Sequence, residues 1–341
     1  MKLLITTQVL DRDDPGYFGF FHAWVEEFAR HCESVEVICL REGTHALPAN
    51  VRVHSLGKER GRPRLGTVVY GLRLVRLAWR LRSRYDTVFV HMNPEYIVCA
   101  GLMWRMLGKR IGLWYAHKRV SLMLRLGVLI SHVALTSSSH GLQIAGAKRR
   151  IVGQGIDTRF VPGQKNASDR LRLMYWGRLS PSKQLNEILA AAQELERRGT
   201  PVSVTFVGEP GHEGDRAYAQ AVQAHAKTLG FPVHFLGGKP HRELPTLVRQ
   251  ADVCVNISTT GSMDKTVLEA MAAGIPVVAS NDSYREVLSS SGLFADDISA
   301  APLADRIAHA ARADTAPLVA YVAAHHSVAG LIGRILRELR H

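Results

Sequence analysis

The amino-acid sequence predicts an α/β protein of two doubly wound, Rossmann-like parallel-sheet domains. Three observations predict it: a length beyond one hydrophobic core, short apolar runs spaced to leave room for helices, and a polar stretch near the middle after which the pattern restarts. At 341 residues the chain exceeds the roughly 250–300 at which single cores stop growing, so each half is expected to bury its own.

The first half carries KLLITTQVL, VEVICL at 35–40, VRVHSL at 51–56, DTVFVHM at 86–92, RIGLWYAH at 110–117 and HVALTSS at 132–138. These runs are apolar without in-and-out alternation, which suits parallel strands covered on both faces. Strands alternating with helices form a doubly wound sheet. At FVPGQKNASDR the pattern pauses, because Pro162, Gly163, Asn166, Ser168 and Asp169 favour a polar linker. LRLMYWG, VSVTFVG, VHFLG, VCVNIS and IPVVAS then supply five further strands, several ending in the Gly of a tight or phosphate-facing turn. The expected domains are 1–162 and 163–325, followed by a C-terminal helix within 326–341, where LIGRILREL is amphipathic.

An apolar fraction of 46% with 21% charged residues excludes disorder and describes a soluble globular chain. Cys32, Cys39, Cys99 and Cys254 show no CxxC or Cys/His spacing, which argues against a disulfide framework or zinc site and for buried thiols in a reducing cytosol. MKLLITTQVLDRDD meets acidic residues where a signal peptide has small ones, so it reads as a first strand. No run reaches the ~18 uncharged apolar residues of a membrane span. The expected location is cytoplasmic, peripheral at the inner face of a membrane.

The net charge of +13 is uneven: residues 1–160 hold 24 Lys and Arg against 12 Asp and Glu, and the remainder 19 against 18. Such a surplus points to a polyanionic partner, nucleic acid or an anionic membrane surface. The most basic helix is expected over 65–84, with Arg73, Arg76, Arg80 and Arg84 in one stripe beside Val68, Leu72, Val75 and Trp79. A solvated outer face of a helix and an anionic-lipid contact both fit it. Against nucleic acid, the aromatics lie in strands or aliphatic runs and no recognition motif is present.

Two segments could carry chemistry. GRLSPSKQ at 177–184 joins a strand to a helix and places Gly, Arg and Lys beside a helix N-terminus, an arrangement suited to a diphosphate. Alone, it also fits a generic turn with solvated charges. TGSMDKTVLEAMAAGIPVVAS at 260–280 runs a small-residue loop into a helix whose first amides can face an anion. Glu269, about a turn on, can accept hydrogen bonds from ribose hydroxyls or stand as an ordinary solvated glutamate.

The series DRDDPGYFGF, YAHK, GQGID with Phe160, GRLSPSK, FVGE, FLG and LEAMAAGIPVV resembles glycosyltransferase family 4, the retaining enzymes of GT-B fold, in the family's order across nearly the whole chain. The resemblance implies two Rossmann-like domains facing a cleft, with the acceptor on the first and the nucleotide sugar on the second. It implies that Arg178 and Lys183 hold the donor diphosphate and that Thr266 and Val267 offer it backbone amides. Glu269 would bind the ribose, and Gly208, Glu209 and Leu236 would lie near the base. Gly16 and Gly19 would let backbone approach the donor, and His117 matches the family's active-site histidine. His91, at another strand end, is a neighbour that shapes the acceptor pocket. The family usually carries two glutamates eight positions apart, and here the first position is Gly261; Asp264 is the nearest carboxylate able to substitute.

The implied activity is transfer from a UDP- or GDP-sugar to a saccharide or lipid-linked saccharide in cell-surface polysaccharide synthesis. Fixed cations replace a metal, and no metal, cofactor or nucleic acid is expected. The rival readings are a catalytically silent nucleotide-sugar-binding protein, kept open by Gly261, and a nucleotide-sugar epimerase, which would need an acidic pair at the sugar.

Overall fold

The computed structural model describes all residues except 16, 17, 62, 64 and 260–262. Two compact units result. Met1–Asp13, Phe18–Gly155 and Val328–His341 form the first, and Ile156–Ser327 is the body of the second. The division thus falls before the polar linker, where the sequence suggested 162–163. Ile156 and Phe160 explain the difference, since both are buried in the second unit's core.

The chain begins with β1 (Lys2–Leu10), α1 (Phe21–His31), β2 (Ser34–Glu42), β3 (Val51–Ser55), α2 (Gly66–Arg80) and β4 (Thr87–His91). The first unit continues with α3 (Glu95–Met106), β5 (Arg110–Trp114), α4 (Leu122–Ile130), β6 (Val133–Thr136) and β7 (Arg149–Ile151). The second holds β8 (Leu171–Trp176), α5 (Leu185–Arg197), β9 (Val202–Val207), α6 (Glu213–Ala226), β10 (Val233–Phe235) and α7 (Leu244–Val248). Then come β11 (Val253–Asn256), α8 (Lys265–Ala272), β12 (Val277–Ala279), α9 (Arg285–Ser289), α10 (Ala300–Ala310) and α11 (Ala316–His325). The last helix, α12 (Val328–Arg340), belongs to the first unit.

The first sheet has the order β3-β2-β1-β4-β5-β6-β7 and the second β10-β9-β8-β11-β12, with every named pair parallel. Strand order reverses at β1 in one sheet and at β8 in the other. In open α/β sheets such reversals place ligand crevices at the carboxyl ends of the strands.

Alternation along β1 splits the first core into two layers. Leu3 and Ile5 join α1 residues such as Trp24 and Phe28 and α12 residues such as Leu331 and Ile335. Leu4 turns the other way, into a layer with Leu74 and Ala78 of α2, Ile97 and Trp104 of α3 and Leu124 of α4. This is the two-sided burial that forces continuous apolar strands.

Some expectations shift. β7, with sequence RRI, has no apolar run to announce it; its charges suit an exposed sheet edge. α2 ends at Arg80, short of residue 84, and Leu81 caps it through the Leu77 carbonyl. Cys99 is exposed on α3, whereas Cys32, Cys39 and Cys254 are buried. Burial pushes the Cys32 thiol up to about 11 and the Cys39 thiol to about 12. No helix of the described residues is long and apolar enough to cross a membrane.

Candidate active site

In the second unit the strand ends of β8, β9 and β10 are stitched together by backbone. The Gly177 amide donates to the Val207 carbonyl and the Gly208 amide to the Gly237 carbonyl, each at 2.9 Å. Gly208 has φ +138°, and a Cβ there would fall 1.9 Å from the Gly177 carbonyl oxygen. Only glycine permits that approach. Beside it, Glu209 is exposed and its Oε1 accepts the Gly238 amide at 3.4 Å, while the exposed Leu236 donates its amide to Phe206.

The loop after β8 carries the two cations. Arg178 is exposed and its stem runs over Gly211, where a Cβ would lie 2.6 Å from its Nε. Lys183 closes the short 3-10 turn Pro181–Lys183 and points inward. Its Nζ donates to Asp264 Oδ2 at 2.5 Å and to Ser258 Oγ at 3.1 Å. Thr259 donates its amide to the Ser182 carbonyl at 3.1 Å, so the loops after β8 and β11 are bound to each other.

Asp264 is the N-cap of α8, and its carbonyl accepts the buried Tyr284 hydroxyl. Lys265 and Thr266 open the helix, where backbone N–H groups point outward along the axis. The Val267 amide is directed at the Asp264 carbonyl at 3.3 Å. The Thr266 hydroxyl accepts Asn256 Nδ2 at 2.8 Å. Burial drives the Lys265 ammonium well below its ordinary range, with Glu269 opposing the shift.

Glu269 is buried and held at both oxygens. Trp176 Nε1 donates to Oε2 and His241 Nε2 bonds Oε1, both at 2.9 Å. The His241 ring packs on Phe160 with centroids 5.5 Å apart. The solvated-glutamate alternative is thereby removed.

Lys183, Asp264, Thr266, Val267 and Glu269 are therefore gathered at the carboxyl ends of β8 and β11 and the start of α8, with Gly208, Glu209 and Leu236 at the neighbouring strand ends. His117 and Gly19 belong to the first unit. His117 is exposed just beyond β5, and its Nδ1 accepts the Arg119 amide at 3.0 Å. Gly19 is buried in the turn before α1. Gly16 and Gly261 lie outside the described residues. His91 is not a pocket residue: it is buried, stacked on Phe21 at 4.1 Å and bonded to the Thr7 hydroxyl at 3.2 Å. A cavity of about 570 Å³ opens in the first unit beyond β3, lined by Ser55, Gly57, Arg60, Pro63 and Arg73 among others.

Sequence reasoning missed Trp176, His241, Asn256 and Ser258. Trp176, Asn256 and Ser258 sit at or just beyond strand ends, where a ligand is expected; His241, in KPHREL, carries no such signal. Among the described residues no group of three or more His, Cys, Asp or Glu side chains is placed to hold a metal ion.

Two doubly wound units of this order define the GT-B fold, and solved structures share it. Anabaena HepE in complex with UDP and glucose superimposes with a TM-score of 0.77 at 18% identity, over 100% of this chain and 99% of its own. Residues 170–312, within the second unit, match the family Glycosyl transferases group 1. Curated relatives include glycogen synthase of Mycobacterium tuberculosis, 31% identical over 40% of this chain and 32% of its own. D-inositol 3-phosphate glycosyltransferase 2 of Catenulispora acidiphila is 35% identical over 38% of this chain and 33% of its own. The chain thus aligns with about a third of the length of these relatives. Every second-unit site residue above lies within the matched span, and His117 and Gly19 lie outside it.

Proposed function

We propose that the protein is a retaining glycosyltransferase that moves a sugar from a UDP- or GDP-sugar to a saccharide or lipid-linked saccharide acceptor in cell-surface polysaccharide synthesis. The observation that carries the reading is the Lys183–Asp264 pair at the mouth of α8 with the doubly anchored Glu269 one turn along. A cation at a helix N-terminus suits a diphosphate, and a fixed buried carboxylate suits vicinal ribose hydroxyls. That HepE is solved with UDP supports a nucleoside diphosphate as the ligand.

In this reading the bond between the anomeric carbon and the β-phosphate oxygen breaks, and its electron pair leaves with the nucleoside diphosphate. Arg178, Lys183 and the first amides of α8 stabilise the growing charge without reorganising, in place of a divalent metal and with no further cofactor. The acceptor hydroxyl oxygen bonds to the anomeric carbon from the same face, and its proton passes to the departing phosphate oxygen. His117, whose Nδ1 accepts an amide, carries its proton on Nε2 when neutral and so donates to an oxyanion or sugar hydroxyl. Asp264 takes the sugar-holding role that the family gives to a glutamate at the position of Gly261. The acceptor binds the first unit, whose basic surplus supports contact with an anionic membrane surface.

Calorimetry against UDP, GDP and ADP in the presence of EDTA tests the reading, repeated with Arg178→Ala and Glu269→Gln. Metal-independent binding of one nucleoside diphosphate, weakened by both substitutions, is the expected result. Absence of nucleotide binding under all conditions would sink it.

A further inference from the structure

We propose that the outer face of the α2–α3–α4 layer of the first unit docks on an anionic lipid bilayer. The proposal deepens the reading above, on which it rests for the presence of a lipid-linked acceptor; the surface itself follows from the fold. The three helices pack side by side, and their inner faces are committed to one core layer against the sheet. Their outer faces are apolar to a degree that core packing does not explain. Among the described residues eleven large apolar side chains are exposed, and eight of them lie on these helices or at the start of α2.

The pattern on each helix is periodic. Leu65, Val68, Leu72 and Trp79 follow steps of three, four and seven along α2, and Met106, 82% exposed, stands one turn from Leu102 on α3. Leu122 and Leu129 are two turns apart on α4. Arginines are interleaved with them: Arg73, Arg76 and Arg80 on α2, Arg105 on α3 and Arg125 on α4, against Glu95 as the one acidic residue of the three helices. Arg82 stacks over the Trp79 ring at 4.6 Å.

This combination selects its occupant. Apolar side chains among arginines match a surface that offers hydrocarbon and anionic headgroups together, with arginine stems lying along the apolar layer and tryptophan at the boundary. A second copy of the chain fits poorly, because a two-fold contact would bring arginine against arginine.

The test is sedimentation of the full chain with vesicles at low salt. Phosphatidylglycerol-rich vesicles should carry the protein down and pure phosphatidylcholine vesicles should not. Trp24, Trp104, Trp114 and Trp176 are buried, so Trp79 reports contact by a blue shift in emission, which Trp79→Phe removes. Combining Arg76→Gln, Arg80→Gln and Arg125→Gln should weaken partitioning about 100-fold, each arginine near an anionic surface contributing about a factor of five. Leu72→Ser with Met106→Ser should weaken it independently. UDP binding, measured separately, reports the donor site alone: its failure with vesicle binding intact counts against the enzyme reading and leaves the surface standing. Lack of sedimentation, unchanged partitioning of the arginine variant, or a wild-type dimer that Leu72→Ser with Met106→Ser splits would overturn the proposal.

Discussion

Trp176, the last residue of β8, donates its indole N–H to Glu269 at 2.9 Å across 93 residues of sequence. Together with His241 on the other oxygen, it turns a helical glutamate into an acceptor of fixed direction. In the proposed function both would be positioning residues for a ribose contact by Glu269.

Trp176→Phe keeps the ring in the core and removes the donor. A hydrogen bond to a charged group contributes about 1.5 kcal/mol, so UDP should bind about tenfold more weakly while the melting temperature falls by only a few degrees. Calorimetry and thermal melts measure the two effects. Unchanged UDP affinity would separate Glu269 from the nucleotide.

Lys183 and Asp264 should part company by ligand. Lys183→Ala removes a cation from the diphosphate and is expected to weaken UDP and UDP-sugar alike, by about 1.5–3 kcal/mol each. Asp264→Asn frees the same cation, so UDP affinity should hold or rise while the sugar conjugate loses about tenfold, the size of one hydroxyl contact. Equal losses for both ligands would remove Asp264 from the sugar site.

Gly208→Ala forces a Cβ to within 1.9 Å of a backbone oxygen at φ +138°. The strained conformation alone costs about 1–3 kcal/mol, and the clash adds to it. Thermal unfolding should show a drop in stability, and a variant as stable as the parent would contradict the described packing.

Asp252 joins the two central strands by accepting Arg172 Nε and Nη2 at 3.0 and 2.9 Å. Burial pushes its carboxyl up, but the Arg172 hydrogen bonds outweigh burial and hold it below the ordinary carboxylate range. Its stabilisation is therefore present above the unfolded value near 3.9 and lost as pH falls through the lower folded value. Asp252→Asn should cost about 2 kcal/mol at neutral pH and little in acid below both values. Urea midpoints at the two pH values check the sign.

In α12, Leu331, Ile332, Ile335, Leu336 and Leu339 are buried in the first unit. Ile335→Ala is expected to destabilise that unit by about 2–5 kcal/mol. Removing residues 328–341 strips all five and should unfold it, since five such side chains at about 1.5–3 kcal/mol each approach a domain's whole stability. Near-ultraviolet dichroism measures the loss, and UDP titration of the same sample reports on the second unit.

What the sequence determined by itself was everything that depends on local order. Apolar runs without alternation specify buried parallel strands, so the doubly wound sheets and the candidate segments GRLSPSK and TGSMDK could be read directly. Motif spacing singled out the segments that hold Arg178, Lys183 and Glu269, and the roles expected of them are those the family resemblance implies. Contacts across strands were decided only by tertiary structure, because no periodicity encodes them. Trp176 and His241 converge on Glu269 from 93 and 28 positions away, and His91, a strand-end histidine by sequence, is claimed by an aromatic core. The apolar face was legible in the sequence on α2 alone; its continuation over α3 and α4 became visible only in the fold. Nothing in the local sequence marks Leu102, Met106 and Leu129 as exposed; the fold shows it, because the opposite sides of their helices are already buried.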